Sequence, residues 1–237
     1  MATIVLAHGA WSAAWAWKKM RPQFKAAGHE FFSPTYTGLG ARAHLARPDI
    51  NLSTHVQDVA SVLEFEDLKD VVLLGHSYGG MVATGVADKA KSRIAKVVYL
   101  DAFVPKDGQS LFDLTGPKAE GNMRAGAMKD GEGWKLPLNP MPPDTTPEDQ
   151  AWAVPRRRPQ PIKTFEQKIK LESKEAPPPR HYIYATKNGP GDVFRQFGDR
   201  AKSEAGWSYY EIDASHNPHI TCPDVLMKLL TEIMAAK

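Results

Sequence analysis

Val71-Val72-Leu73-Leu74-Gly75-His76-Ser77-Tyr78-Gly79-Gly80, running on into Met81-Val82-Ala83-Thr84, is the stretch on which the reading of the whole chain turns. Its apolar, β-branched start predicts a buried strand, and Met81 to Thr84 predict a helix. Between them lies G-x-S-x-G. A serine at the tip of a strained strand-to-helix turn needs small neighbours on both sides, and Gly75 and Gly79 supply them. Ser77 is then placed to project its hydroxyl above a sheet as a nucleophile. The same turn aims the first N–H groups of the helix at whatever Ser77 attacks, which makes the Tyr78 N–H a donor to a developing oxyanion. A glycine-rich turn with an incidental serine has the same five-residue pattern; the strand before it and the helix after it favour the nucleophile.

Working outward, Thr3-Ile4-Val5-Leu6-Ala7 is a second apolar run of strand length, ending in His8-Gly9-Ala10-Trp11. Helical spacing follows from Ala13 to Ala27 at Trp17, Met20 and Phe24, closed by Gly28. Glu30-Phe31-Phe32-Ser33-Pro34 reads as a short strand, and Ser53 is placed to cap a helix carrying Val56, Val59, Ala60 and Leu63. Beyond the elbow, Ile94 to Leu100 read as another buried strand with Asp101-Ala102-Phe103 at its carboxyl end. The rhythm returns at Arg180: a strand through Tyr182 to Thr186, a helix from Asp192 to Ala205, a strand from Trp207 to Ile212 and a closing helix from Pro223 to Ala236. Helices alternating with continuous apolar strands imply an α/β fold, a mostly parallel sheet of about six strands covered on both faces. Residues 105–179 break the rhythm. Prolines crowd there, yet Phe112, Met123, Met128, Trp134, Trp152 and Phe165 are too many large apolar groups for a disordered linker. The expected organisation is therefore one core, 1–104 and 180–237, with 105–179 inserted as a lid over the strand ends.

Composition narrows the function classes. The chain has 237 residues, enough for one large domain, with 42% hydrophobic and 24% charged residues, which excludes wholesale disorder. No apolar run reaches the length of a membrane span, and no export signal opens the chain, so a cytoplasmic protein is expected. The single cysteine, Cys222, leaves no internal disulfide and no multi-cysteine metal site. A net charge of +3 points to no polyanionic partner. Arg156-Arg157-Arg158 is too short a basic run for nucleic acid and is expected to be a solvated loop. The expected partner is a small molecule, with no nucleic acid, membrane, cofactor or metal, and the protein is expected as a monomer or homodimer.

A serine elbow needs a base, which in this architecture follows the last strand. His216, in Asp213-Ala214-Ser215-His216-Asn217-Pro218, stands there; His219 is the nearby alternative. The second oxyanion donor belongs to the loop after the first strand, where the Ala10 N–H fits.

The segments Ile4 to Trp11, Gly75 to Met81, Tyr99 to Pro105, and Ser215-His216 followed by Thr221-Cys222-Pro223 together resemble the α/β-hydrolase superfamily. More narrowly, they resemble its branch of plant methylesterases, hydroxynitrile lyases and related bacterial esterases. The resemblance runs from residue 3 to the C-terminus and is weakest in 105–179. It implies a cofactor-free Ser–His–acid triad and a lid shaping a mostly apolar pocket. The plant members place the acid after the strand that here is Tyr182 to Thr186, where this chain has Lys187-Asn188-Gly189. A neutral Asn188 gives imidazolium no charge, so the acid is sought elsewhere: Asp101 at a strand end, or Asp192, which helix capping also explains. The lyases of that branch carry a threonine after the first-loop histidine and a lysine after the catalytic one; this chain has Gly9 and Asn217. The expected activity is hydrolysis of small apolar or aromatic carboxylic esters through an acyl-enzyme, with Trp11 and Phe103 lining the pocket. Lyase chemistry and a ligand receptor on the same scaffold are the alternatives.

Overall fold

The computed structural model describes residues 1–236. Six strands form one sheet: β1 (Thr3–Ala7), β2 (Glu30–Phe32), β3 (Val71–His76), β4 (Ile94–Leu100), β7 (Arg180–Ala185) and β8 (Trp207–Ile212), with β5 (Lys135–Leu136) and β6 (Gln160–Pro161) lying outside it. Their order is β2-β1-β3-β4-β7-β8, and every neighbouring pair is parallel. The chain starts at β1, goes out to β2, and comes back to β3 on the other side of β1. The strand order thus reverses between β1 and β3, and in open parallel sheets that is where ligands find a crevice at the carboxyl ends.

Side chains alternate across each strand, so the apolar runs feed two cores. Val5, Ala7, Val71, Leu73, Val97, Tyr99, Tyr182 and Tyr184 face one side with the elbow helix. Ile4, Leu6, Val72, Leu74, Val98, Leu100, Ile183 and Ala185 face the other, beneath Trp17, Phe24 and the closing helix. The helices are α1 (Arg21–Ala26), α2 (Leu52–Phe65), α3 (Gly79–Lys89), α8 (Arg195–Ser203), α9 (Pro218–Thr221) and α10 (Pro223–Ala235), with α4 to α7 between β4 and β7.

Three local expectations are corrected. The stretch from Ala13 to Ala27 is not one helix but a 3-10 turn, Ala14–Trp17, followed by α1, because Pro22 fits only a first helical turn. The cap of α2 is Asn51, whose side chain accepts from the Thr54 N–H at 3.1 Å, and Ser53 lies inside the first turn. The helix expected from Asp192 starts at Arg195, since the Asp192 carboxylate accepts the Phe194 N–H at 2.8 Å.

Residues 105–179 hold α4 (Leu111–Thr115), α5 (Pro117–Asp130), α6 (Pro147–Ala153), α7 (Lys163–Glu166) and the antiparallel pair β5 (Lys135–Leu136) and β6 (Gln160–Pro161). Phe112 and Phe165 are buried in the core shared with the elbow helix, whereas Met128 is 74% exposed. No helix among the described residues is long and apolar enough to cross a membrane.

Candidate active site

The turn from β3 to α3 holds Ser77 in the left-handed region at φ 56°, a conformation that a non-glycine residue adopts only under constraint from its surroundings. The constraint is close backbone contact. A Cβ on Gly79 would lie 1.9 Å from the Ala7 carbonyl oxygen, and one on Gly80 would lie 2.1 Å from that of Phe103. Only glycine lets the elbow press between the ends of β1 and β4. Ser77 N–H donates to the Leu100 carbonyl at 3.3 Å, which ties the turn to β4.

The loop after β8 brings His216 over this turn. The Ser77 hydroxyl and His216 Nε2 are 2.9 Å apart, and His216 Nδ1 lies 2.7 Å from Asp101 Oδ2. With Nδ1–H donating to the carboxylate, Nε2 is left to accept the serine proton. Asp101 is fully buried just beyond β4, with a φ of 42°. Its second oxygen accepts the Ala185 N–H at 3.3 Å, and Asn188 Nδ2 donates to both oxygens at 3.1 and 3.0 Å. Asn188 therefore supports the carboxylate from the place where the plant pattern has its acid. Asp192 has no bond to His216; it accepts from the Tyr184 hydroxyl at 2.5 Å, from the Phe194 N–H and, at 3.4 Å, from Asn188 Nδ2. Phe194 stacks on the imidazole of His216, ring centroids 4.6 Å apart, and fixes its plane.

Two further histidines stand behind His216. His76 Nε2 bonds the His216 carbonyl at 2.8 Å, which anchors the histidine loop on β3. Burial, reinforced by His219 and His216, holds the His76 imidazole well below the usual histidine range, so it is neutral and its Nε2–H is the donor. His219 stacks on Trp17 at 4.6 Å, and burial pushes it down to about 3. His216, not His219, is the ring bonded to Ser77.

On the other flank, the loop after β1 lies against the serine. The N–H groups of Ala10 and Tyr78 have no acceptor among the described residues, as donors reserved for a ligand oxygen would. The next residue, Trp11, is held in the left-handed region at φ 56°. Its N–H donates to Gln160 Oε1 at 3.1 Å, its indole N–H to the Leu136 carbonyl at 3.2 Å, and its carbonyl accepts the Arg158 N–H at 3.3 Å. All three partners belong to residues 105–179. The same segment reaches the histidine loop through Asp144, which accepts from the Ser215 N–H at 3.0 Å and from the Ser215 hydroxyl.

A cavity of about 410 Å³ opens over Ser77 and His216. Trp11, Trp15, Met141 and a row of prolines give it flat apolar walls, but Asn139, Arg157, Lys187, Asn188 and Asn217 also line it. The expectation of a mostly apolar pocket is corrected accordingly. So is that for Phe103, which packs in the core against Phe194 and Phe197 and does not reach the cavity. Its neighbour Asp101 turns into the site, and the backbone direction at the strand end decides between them. The basic run Arg156 to Arg158 is likewise not all solvated: Arg157 is half-buried and donates to the Asn139 carbonyl at 2.6 Å and to the Asn139 side chain. Among the described residues it has no carboxylate partner. Sequence offered no signal for this, because a triplet of arginines between prolines does not show which one turns inward. Among the described residues, no group of three or more His, Cys, Asp or Glu side chains is placed to hold a metal.

Residues 4–229 match the model of the family described as Alpha/beta hydrolase family. The chain is 36% identical over 243 residues to the carbendazim hydrolyzing esterase of Nocardioides sp. (strain SG-4G), covering 98% of this chain and 100% of that protein. Methylesterase 3 of Arabidopsis thaliana is 28% identical over 113 residues, 43% of this chain and 40% of its own length. A solved structure described as an extracellular alpha/beta-hydrolase from a Paenibacillus species, with structural and functional homology to tobacco salicylic acid binding protein 2, superposes with a TM-score of 0.84 at 26% identity over 98% of both chains. The chain belongs to the alpha/beta hydrolase family. Its likeness over nearly the whole length to an esterase makes it an ester hydrolase.

Proposed function

We propose that the protein is a serine esterase working through an acyl-enzyme. The observation that carries this is the unbroken chain of hydrogen bonds from Asp101 through His216 to Ser77, at 2.7 and 2.9 Å, beneath a cavity. Ser77 Oγ attacks the ester carbonyl while His216 Nε2 takes its proton. The carbonyl oxygen becomes an oxyanion held by the Ala10 and Tyr78 N–H groups, and Asp101 stabilises the imidazolium. His216 returns the proton to the leaving alcohol. Water then repeats the sequence on the acyl-enzyme and frees Ser77.

The cavity favours small esters with a flat ring and a polar acceptor. The ring packs on Trp11 and Trp15, and the acceptor meets Arg157, whose guanidinium has no carboxylate to neutralise it. The full-length relative is named for hydrolysing carbendazim, which makes that compound a candidate substrate to test. Residues 105–179 act as the lid that supplies Arg157 and Asn139. Gly9 argues against lyase chemistry: it carries no side-chain hydroxyl, and a Cβ there would press at 3.0 Å on His76 Nδ1 and 3.2 Å on Ser77 Cβ, so the neighbours would have to give way.

The test is a panel of aryl acetates, alkyl esters, carbendazim and mandelonitrile, assayed with wild type and Ser77→Ala. Ester or carbamate hydrolysis that disappears in Ser77→Ala is expected, with negligible cyanide release. Hydrolysis that survives in Ser77→Ala contradicts the mechanism, and cyanide release rivalling ester hydrolysis contradicts the reaction class. A folded protein inert to the panel and to fluorophosphonate points to a ligand receptor.

A further inference from the structure

Gln160 is fully buried, yet it lies in a proline-flanked stretch 149 residues from the loop it touches. Its side chain is bonded at both ends. Oε1 accepts the Trp11 N–H at 3.1 Å, and Nε2 donates to Thr164 Oγ1 at 2.8 Å, whose hydroxyl in turn donates to the Pro161 carbonyl at 2.6 Å. Thr164 is fully buried as well. The amide is therefore fixed in one orientation and presents its oxygen to a backbone N–H that has no other acceptor among the described residues.

That N–H belongs to the residue after Ala10. Because Trp11 is held at φ 56°, the peptide planes on either side of it are turned from the course a strand or helix would take, and the free Ala10 N–H lies one peptide plane upstream. The indole N–H on Leu136 and the carbonyl on Arg158 are bonds of the same origin. Two hydrogen bonds from the inserted segment thus hold the backbone of a single residue at the edge of the oxyanion hole and a third holds its indole, and on the segment's side only one of the three, that from Gln160, is made by a side chain.

We propose that Gln160 is a positioning residue for the oxyanion hole, coupling the inserted segment to the Ala10 N–H through Trp11. The inference rests on the serine-esterase reading of the site. It implies that the segment does more than cover substrate: the hole is complete only while the segment is docked on the loop after β1. Segment docking and transition-state stabilisation are then one equilibrium, and a substrate that holds the segment down also sharpens the hole.

The experiment compares wild type, Gln160→Met, Gln160→Glu and Thr164→Val with 4-nitrophenyl acetate, and measures inhibition by trifluoroacetophenone, whose serine hemiketal places an oxyanion in the hole. Methionine keeps the volume and loses the acceptor. Loss of a whole oxyanion donor costs on the order of 10²–10³ in kcat, so a misaligned donor in Gln160→Met is expected to cost about 10- to 100-fold in kcat, with KM within about threefold. Trifluoroacetophenone binding weakens by a similar factor, since it shares the transition state's geometry. Gln160→Glu restores kcat: with no cationic partner at this position, burial favours the protonated carboxyl, which accepts from Trp11 N–H and donates to Thr164 as the amide did. Thr164→Val frees the other end of Gln160 and lowers kcat in the same direction, which keeps the test open should Gln160→Met not fold. Folded Gln160→Met, or in its absence Thr164→Val, with wild-type kcat and wild-type inhibition overturns the proposal. A fall in kcat that Gln160→Glu does not restore, or that leaves inhibition unchanged, overturns it too. Absence of Ser77-dependent hydrolysis in the wild type would instead overturn the serine-esterase reading beneath it.

Discussion

Replacing Asp101 by asparagine changes one atom and leaves the shape intact, which makes it a demanding perturbation. Three kinds of donor surround the carboxylate: the Ala185 N–H on one oxygen, His216 Nδ1 on the other, and the Asn188 amide on both. An asparagine must turn its NH2 towards one side. Facing Ala185, it meets a backbone donor that cannot reverse, and a buried unsatisfied group costs about 1–3 kcal/mol. Facing His216, it meets a ring that can reverse, by moving its proton from Nδ1 to Nε2. The second arrangement is cheaper, and it leaves Nε2 protonated and unable to accept the Ser77 proton. The loss is then that of a serine enzyme with the wrong tautomer, on the order of 10⁴ in kcat. That corresponds to about 5.5 kcal/mol of barrier. The assay is the initial rate on 4-nitrophenyl acetate, with a thermal melt to show that the variant is folded. Asp192→Asn serves as the comparison: its partners are Tyr184, Phe194 and, at 3.4 Å, the Asn188 amide, and none is His216, so it is expected to lose stability and keep most of its rate. Asp101→Asn within about tenfold of wild type, folded, or Asp192→Asn as the more damaging change, refutes this reasoning.

Ser77→Ala and His216→Ala are each expected to remove nearly all Ser77-dependent turnover, and the double variant to be little worse than either, because nucleophile and base act as a unit; multiplying losses would show that they do not. Stability is expected to fall steeply with acid. Burial pushes His8, His55 and His219 down to about 3, so below the ordinary value of 6.5 the unfolded chain binds protons that the folded one refuses. Stability contributed by the three neutral rings is complete above pH 6.5 and is lost as pH falls towards 3, at about 4 kcal/mol per pH unit for the three together. Against a total of about 5–15 kcal/mol, this places acid unfolding between about pH 5 and pH 3, and a clear loss of stability already between pH 6.5 and 5. Melting temperatures from pH 8 to 5 check it, and a flat profile would contradict it.

What was legible in the sequence was whatever local pattern encodes. Continuous apolar runs mark β1, β3 and β4, which are largely buried on both faces; the three-residue β2 and the partly exposed β8 carry weaker patterns and show by their aromatic residues and their place between helices. The elbow shows as glycines around a serine, and their need is steric contact with Ala7 and Phe103. Ser77, His216 and Asp101 were named from chain order and strand ends, and the structure brings them within hydrogen-bond reach. What was not legible depended on which way a side chain turns. Phe103 and Asp101 are two residues apart at one strand end, and only the carboxylate enters the site. Arg157 lies in an arginine triplet whose members differ only in how the insert folds back. Gln160 carries no motif at all, since its role comes from a contact across 149 residues. Pro22, by contrast, was visible and marked a helix start inside a stretch read as one helix.

The most direct test of the central claim is mass spectrometry of the protein after reaction with a fluorophosphonate, followed by peptide mapping. One phosphonyl adduct per chain is expected, on the peptide carrying Ser77, forming at the rate at which esterase activity disappears and absent in Ser77→Ala. Full loss of activity with the adduct on another residue, or an unmodified Ser77 in a protein that still hydrolyses esters, would contradict it.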